Sequence, residues 1–307
     1  MNFRNVTLKD KELIKDYMYR YGEGSCQHSF VSMYCMADKY GDSVCEKDGW
    51  LLICREGIST DRERAYLFPM GDISDAKGLE RAISEIINDA HEHGALACFQ
   101  TLTENAKNAV VKLFPDRFTV TPVRDYSEYI YTYEKLAELP GHEMASKRYD
   151  INTFYRTYGD TVRVETITDS HIEQIRSFQK LWLENKFCEE EDVQLDQENT
   201  AIQLGLAHFE ELELSGIVIY IKGELCGYAY GTPLSNDSYD VIIEKGDRRI
   251  ADIYRVLNRD LVRLCCSRYQ YINREEDVGV EGLRRAKLSY KPDFLLNKYR
   301  LTEVKHE

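Results

Sequence analysis

The sequence predicts an α+β protein of two successive domains, each a mixed, mainly antiparallel sheet flanked by helices, and three observations carry that reading. With 307 residues and 43% hydrophobic content, the chain can bury two cores of ordinary size. Its apolar runs, such as residues 216–221, are strand-length and far short of the ~20 residues that span a bilayer. Helical and extended patterns then recur in the same order in both halves: helix, antiparallel strands, helix, strand, helix, strand. The duplication is one of architecture and not of sequence.

In the first half, a helical pattern at 8–21 precedes strands at 50–54 and 65–68, a long helix at 75–91, a strand at 95–102, a helix at 105–114 and strands near 118–121 and 129–133. Leu139-Pro-Gly141 breaks the chain, and 143–158 reads as a connecting helix with Ile151, Phe154, Tyr155 and Tyr158 on its apolar side. The boundary is placed near Gly159, giving domains 1–159 and 160–307. In the second half, Thr168 can cap a helix carrying Ile172, Ile175, Phe178 and Trp182 at helical spacing. A helix at 200–212 leads to strands at 217–221, 225–230 and 239–243, the first two joined by the turn Lys222-Gly-Glu224. A helix at 250–267, with Ile250, Ile253, Leu257, Leu261 and Leu264 along one face, is followed by a strand at 269–272, a charged loop, a helix that stops before Pro292 and a final strand near 294–301.

A net charge of −13 argues against general affinity for polyanions, which are gripped first through clustered lysine and arginine. A nucleic acid would have to meet a local basic patch. Lys147 with Arg148, and the cations between Arg248 and Lys298, are the two candidates, with solvated helix faces as the plain alternative. Nine cysteines without a C-x-x-C pair read as buried thiols of a reducing cytosol, and the charged N-terminus lacks a secretory pattern, so a cytoplasmic location is expected. His91-Glu-His93 reads as a helix end, and the run Glu189-Glu-Glu-Asp192 as a solvated loop; neither is assigned a metal. No Ser-His-Asp signature, P-loop or dinucleotide fingerprint is present.

The densest chemistry lies at 271–292. The strand at 269–272 leads, by way of Asn273 and Arg274, to Glu275, Glu276 and Asp277, and the chain then passes Gly279 and Gly282 into a cationic helix. Strand ends facing helix starts are where α/β proteins bind ligands. Three adjacent acids can raise one carboxyl pKa by like-charge repulsion, which suits a general base, and Glu276 and Asp277 are the candidates; helix capping is the alternative. Arg284, Lys287 and Lys291 share a helix face able to hold a phosphate or carboxylate, while Val280, Leu283 and Ala286 should turn inward. Gly279 and Gly282 permit close backbone approach or a tight turn. Tyr290 is a candidate acid or substrate contact.

The second half has the element order of the GNAT acyltransferase fold, whose antiparallel meander ends at a strand that splays from its neighbour to hold the acyl donor. Acetyl-CoA users carry an R/Q-x-x-G-x-G/A loop after the fourth strand. In this chain the loop opens on Glu244 and Lys245 and runs to Asp252, and counted from Arg248 the required glycine falls on Ala251, so the pyrophosphate cradle is broken. Residues 271–292 with Lys298-Tyr299, and Leu139-Pro-Gly-His-Glu-Met-Ala-Ser-Lys-Arg148 with Ile151-Asn-Thr-Phe154, resemble the signatures of the phosphatidylglycerol lysyltransferase C-terminal domain-like family over nearly the whole chain. Tyr149 departs from the asparagine expected after the Lys-Arg pair, and the membrane module of the bacterial lysyltransferases has no counterpart in this sequence. The resemblance implies a tandem GNAT fold related to lipid aminoacyltransferases and to Fem peptidyltransferases, which take amino acids from charged tRNA. It implies aminoacyl transfer to an amine or hydroxyl of a small-molecule or peptide acceptor, with aminoacyl-tRNA as donor in preference to acyl-CoA. A non-catalytic module for a small anionic ligand or peptide, and a CoA-dependent N-acetyltransferase, stand as alternatives.

Overall fold

The computed structural model describes residues 1–184 and 193–305, so the acidic run 189–192 lies outside the described residues. Fourteen strands are described: β1 (Arg4–Asn5), β2 (Asp42–Lys47), β3 (Trp50–Arg55), β4 (Glu63–Tyr66), β5 (Leu96–Leu102), β6 (Phe118–Pro122), β7 (Glu128–Thr132), β8 (Val162–Thr166), β9 (Ser215–Ile221), β10 (Glu224–Pro233), β11 (Ser238–Gly246), β12 (Tyr271–Asn273), β13 (Phe294–Leu296) and β14 (Tyr299–Glu303). They form two seven-stranded sheets, ordered β1-β2-β3-β4-β5-β14-β6 and β8-β9-β10-β11-β12-β7-β13.

The two sheets follow one plan. In each, four strands form an antiparallel meander, the fourth pairs in parallel with the fifth, and the strand beyond the fifth is again antiparallel to it. The duplication read from the sequence is therefore present in the topology. The strand after the fifth is exchanged, however: β14, from the end of the chain, completes the first sheet, and β7, from the first half, completes the second.

This exchange moves the domain division. The expected boundary near Gly159 is replaced by a first compact unit of Met1–Tyr129, Glu275–Arg284 and the chain from Leu295 on, and a second of Ile130–Arg274 with Arg285–Phe294. A single cut cannot separate units that trade strands. The signature segment 271–292 consequently serves both, with its middle ten residues in the first unit and its two ends in the second.

In the first unit, the helix Ala76–Glu92 starts where the Asp75 side chain accepts from the Gly78 N–H, and it buries Leu79, Ile83, Ile86 and Ile87 on the sheet. Those residues join Trp50, Tyr66, Phe99 and the β14 residue Leu301 in one core. Glu303 fixes β14 further, since its almost fully buried carboxylate accepts from the Ala97 N–H and pairs with Arg117 at 2.7 Å and His91 at 3.0 Å. His91 therefore does more than close its helix.

In the second unit, Lys222 and Gly223 take positive φ (54° and 86°) in the two-residue turn between β9 and β10, as the sequence predicts. The helix Ile253–Cys265 buries Ile253, Val256, Leu257 and Leu261. It starts later than expected, and Leu264 points away from that face with 52% exposure. The helix expected at 200–212 runs earlier, at Val193–Ala207, and the connecting helix is Ala145–Tyr158, with Ile151 and Phe154 buried. Strands β2 and β8, short and partly charged, were not legible by alternation. The expected last strand is two, β13 and β14.

Candidate functional site

In the second unit, β11 and β12 pair in parallel only from Ser238 to Asp240 against Tyr271 to Asn273. Beyond that register β11 continues to Gly246 without β12 beside it, and the chain after Asn273 leaves the ladder at Arg274. The two strands thus part, as the element order of the second half predicts.

Residues gather where they part. Glu244 on β11 accepts from Arg274 Nη2 at 2.5 Å and from Asn258 Nδ2, on the helix Ile253–Cys265, at 3.3 Å. Burial works against the guanidinium charge, but Glu244 holds it firmly protonated. Arg274 Nε and Nη1 and Asn258 Oδ1 are buried and meet no hydrogen-bonding partner among the described residues. Tyr290 lies under two cations, with Arg274 5.2 Å and Lys147 4.5 Å from its ring centre. Burial pushes the Tyr290 hydroxyl up to about 12, Arg274 partly opposing the shift.

Lys147 comes from the connecting helix and is buried. Burial lowers its pKa, and the neighbouring charges of Arg255, Lys291 and Arg274 add to that. Among the described residues its ammonium meets no carboxylate at ion-pair distance. Lys287 acts through the backbone: its Nζ donates to the Arg274 carbonyl at 2.5 Å, while its own carbonyl accepts from the Tyr131 hydroxyl at 2.7 Å. It thereby fixes the chain at Arg274.

Other expected site residues of the second unit have different work. Arg148 donates to the carbonyls of Leu139 and Gly141, closing the turn before its helix. Lys245 projects from β11 to Glu198 at 2.6 Å and lies 4.2 Å from the Trp182 ring centre. Asn273 is buried in β12. Lys291 is exposed, and its carbonyl accepts from Lys135.

The acidic candidates pack in the first unit. Asp277, fully buried, receives Arg284 through Nε at 3.0 Å and Nη2 at 2.7 Å, Tyr129 at 2.5 Å, Arg124 at 3.2 Å and the Gly279 N–H at 3.0 Å. Burial opposes its charge, yet the bonds from Arg284, Tyr129 and Gly279 hold the carboxyl well below the usual carboxylate range. A carboxylate so stabilised is a poor proton acceptor, so Asp277 is not the base the acidic run suggested. Arg284 is committed to Asp277 and to Asp125 at 2.6 Å, which removes it from an anion-binding face shared with Lys287 and Lys291. Glu276 accepts from Gln27 at 3.3 Å and Cys26 Sγ at 3.5 Å, and the Glu275 carbonyl accepts from the Tyr129 N–H.

Gly279, at φ 80°, needs its freedom, because L side chains rarely adopt that backbone conformation; a Cβ there would also lie 3.1 Å from the Asp125 carboxylate. Gly282 faces open space. Val280 and Leu283 are about half exposed, and Ala286 is exposed, against the expectation that they turn inward.

A family model described as "Phosphatidylglycerol lysyltransferase, C-terminal" matches residues 19–302. The chain belongs to this family. A crystal structure of a conserved protein of unknown function from Bacteroides thetaiotaomicron is 29% identical, with a TM-score of 0.92 over 99% of this chain and 100% of that one. The structure of L-PGS from Bacillus licheniformis is 14% identical (TM-score 0.65, covering 97% and 93%), and that of FemX is 8% identical (TM-score 0.65, covering 99% and 98%). At those identities the likeness is one of fold, and it agrees with the two repeated sheets. Among curated proteins, an uncharacterised protein of Mycoplasmoides gallisepticum is 23% identical over 180 residues; the match covers 56% of this chain and 55% of that protein, so the chain spans about half the length of its curated relative. Among the described residues of this family member no helix is long and apolar enough to cross a membrane.

Asn258, Tyr131 and Tyr129 escaped sequence reasoning. For Asn258 a signal existed: it neighbours Leu257 on the apolar face of its helix, where an amide must find a partner.

Proposed function

We propose that this protein is an acyltransferase that moves an aminoacyl group from charged tRNA to an amine or hydroxyl of a small-molecule or peptide acceptor, at the cleft beside Glu244 and Arg274. The observation that carries the reading is the cluster of Lys147, Arg274 and Tyr290, in which buried donors await an electron-rich ligand in an otherwise acidic protein. Family membership supports the class of reaction, and the resemblance to Fem enzymes supports the donor.

The acceptor nucleophile attacks the carbonyl carbon of the aminoacyl ester. The oxyanion that forms takes the free N–H groups of Arg274. The acceptor loses one proton and the departing ribose oxygen gains one, so the exchange balances. Lys147 suits the first transfer, because its lowered pKa makes the neutral amine more accessible than in a free lysine. Tyr290, held protonated, suits the second. Acyl-CoA is the weaker donor: where a pyrophosphate cradle belongs, Asp247 holds Arg249 and Asp252 pairs with Arg255.

The test is retention of charged against uncharged tRNA on a filter, alongside thermal shift with acetyl-CoA. A ligand at about 100 times its Kd adds roughly 2.7 kcal/mol of stability, so a CoA site would register. Preferential retention of charged tRNA without a CoA shift is expected, and the reverse would restore the acetyltransferase reading.

A further inference from the structure

The cleft offers two kinds of unmet hydrogen-bonding capacity. Arg274 presents donors, but Asn258 presents an acceptor. The amide of Asn258 is fully buried, and its orientation is dictated by its neighbour: a carboxylate only accepts, so the Nδ2 end must face Glu244, as it does at 3.3 Å. Oδ1 is therefore the end left over, and it is buried without a partner among the described residues. Leaving such a group unpaired is unfavourable, because the hydrogen bond it makes to water in the unfolded chain is not replaced. A phosphate or simple carboxylate would satisfy Arg274 and Lys147 and leave Asn258 Oδ1 as it is. A ligand carrying an ammonium next to a carbonyl satisfies both sets.

We propose that Asn258 Oδ1 and the Glu244 carboxylate form the subsite for a free α-ammonium group, so that the cleft accepts an amino acid or aminoacyl group only with its amine unblocked. The carbonyl of the same ligand faces Arg274. This rests on the reading of the site as an aminoacyl site, and it adds a specificity which that reading does not require, since a transferase could act as well on a blocked amino acid.

The experiment measures binding of a panel of amino-acid amides and their Nα-acetyl counterparts to the whole protein by calorimetry, for wild type and Asn258→Leu. The amides should bind at least about tenfold more tightly than the acetylated forms in wild type, and Asn258→Leu should erase that ratio. Equal binding of the two series, or no binding of any amide, would overturn the subsite. The wild-type comparison stands even if the variant fails to fold. A second arm compares filter retention of charged tRNA with the same tRNA after Nα-acetylation. Equal retention of both overturns the ammonium subsite and leaves the tRNA donor standing. Discrimination among the amides with no retention of charged tRNA supports the subsite and overturns the tRNA donor.

Discussion

Lys298 Nζ lies 2.6 Å from the Glu128 carboxylate, and neither side chain has any exposed surface. The same ammonium reaches Ser25 Oγ at 2.5 Å, and Ser25 in turn donates to Glu128 at 2.8 Å. Removing one partner leaves a buried charge uncompensated, which costs about 3–5 kcal/mol. Lys298→Met should lower the urea-unfolding free energy by that amount, while Lys298→Met with Glu128→Leu should recover much of it. Equal losses in the single and double variants would refute the pairing.

His28 lies in the same unit, its Nε2 3.1 Å from the Phe68 carbonyl and its Nδ1 buried without a partner among the described residues. Burial, with Lys298 next, pushes its pKa down to about 4. The unfolded chain thus binds a proton below about 6.5 that the folded chain refuses until near 4. Stability is fully present above pH 6.5 and falls as the pH drops toward 4, by up to roughly 3 kcal/mol. Urea unfolding at intervals across that window should show the slope in wild type and a flatter one in His28→Gln.

Asp277 behaves in the opposite sense. Its pKa is depressed by Arg284, Tyr129 and Gly279, so its contribution is present above the unfolded value near 4 and is lost as the pH falls below it. Asp277→Asn should destabilise at neutral pH and lose less than wild type between pH 4 and 2. Arg284→Lys, which keeps charge but loses the paired N–H contacts, should weaken the fold without a selective effect on substrate KM. A pure KM change with unaltered stability would return Arg284 to the ligand.

For the cleft, Arg274→Lys is the informative variant, because it keeps a cation beside Glu244 and removes the unpartnered N–H groups. Transfer should fall about 100-fold in kcat with unfolding unchanged. Lys147→Arg should abolish the ascending limb of the pH-rate profile, since an arginine does not deprotonate in the working range.

Much of the fold was legible because it is written locally. The Lys222-Gly223 turn, the apolar stripe of Ala76–Glu92 and the repeated element order depend on residues close in sequence. Strand neighbours do not. Nothing in Glu128–Thr132 announces that it inserts beside β12, and nothing in Tyr299–Glu303 names β5 and β6 as partners. The site divides in the same way. Arg274, Tyr290, Glu244 and Lys147 stood out by type and position. The fate of Asp277 did not, because two flanking arginines and a tyrosine turn a plausible base into an anchor, and Arg124 and Tyr129 are distant in the chain.

The placement of β14 sets an order on the protein's own making. The ribosome releases β1 to β6 first, yet β14, which sits between β5 and β6, follows only after every strand of the second sheet has been made. The half that is synthesised first is therefore finished last, and until then the inner edges of β5 and β6 stand open, a template for any extended strand that arrives early.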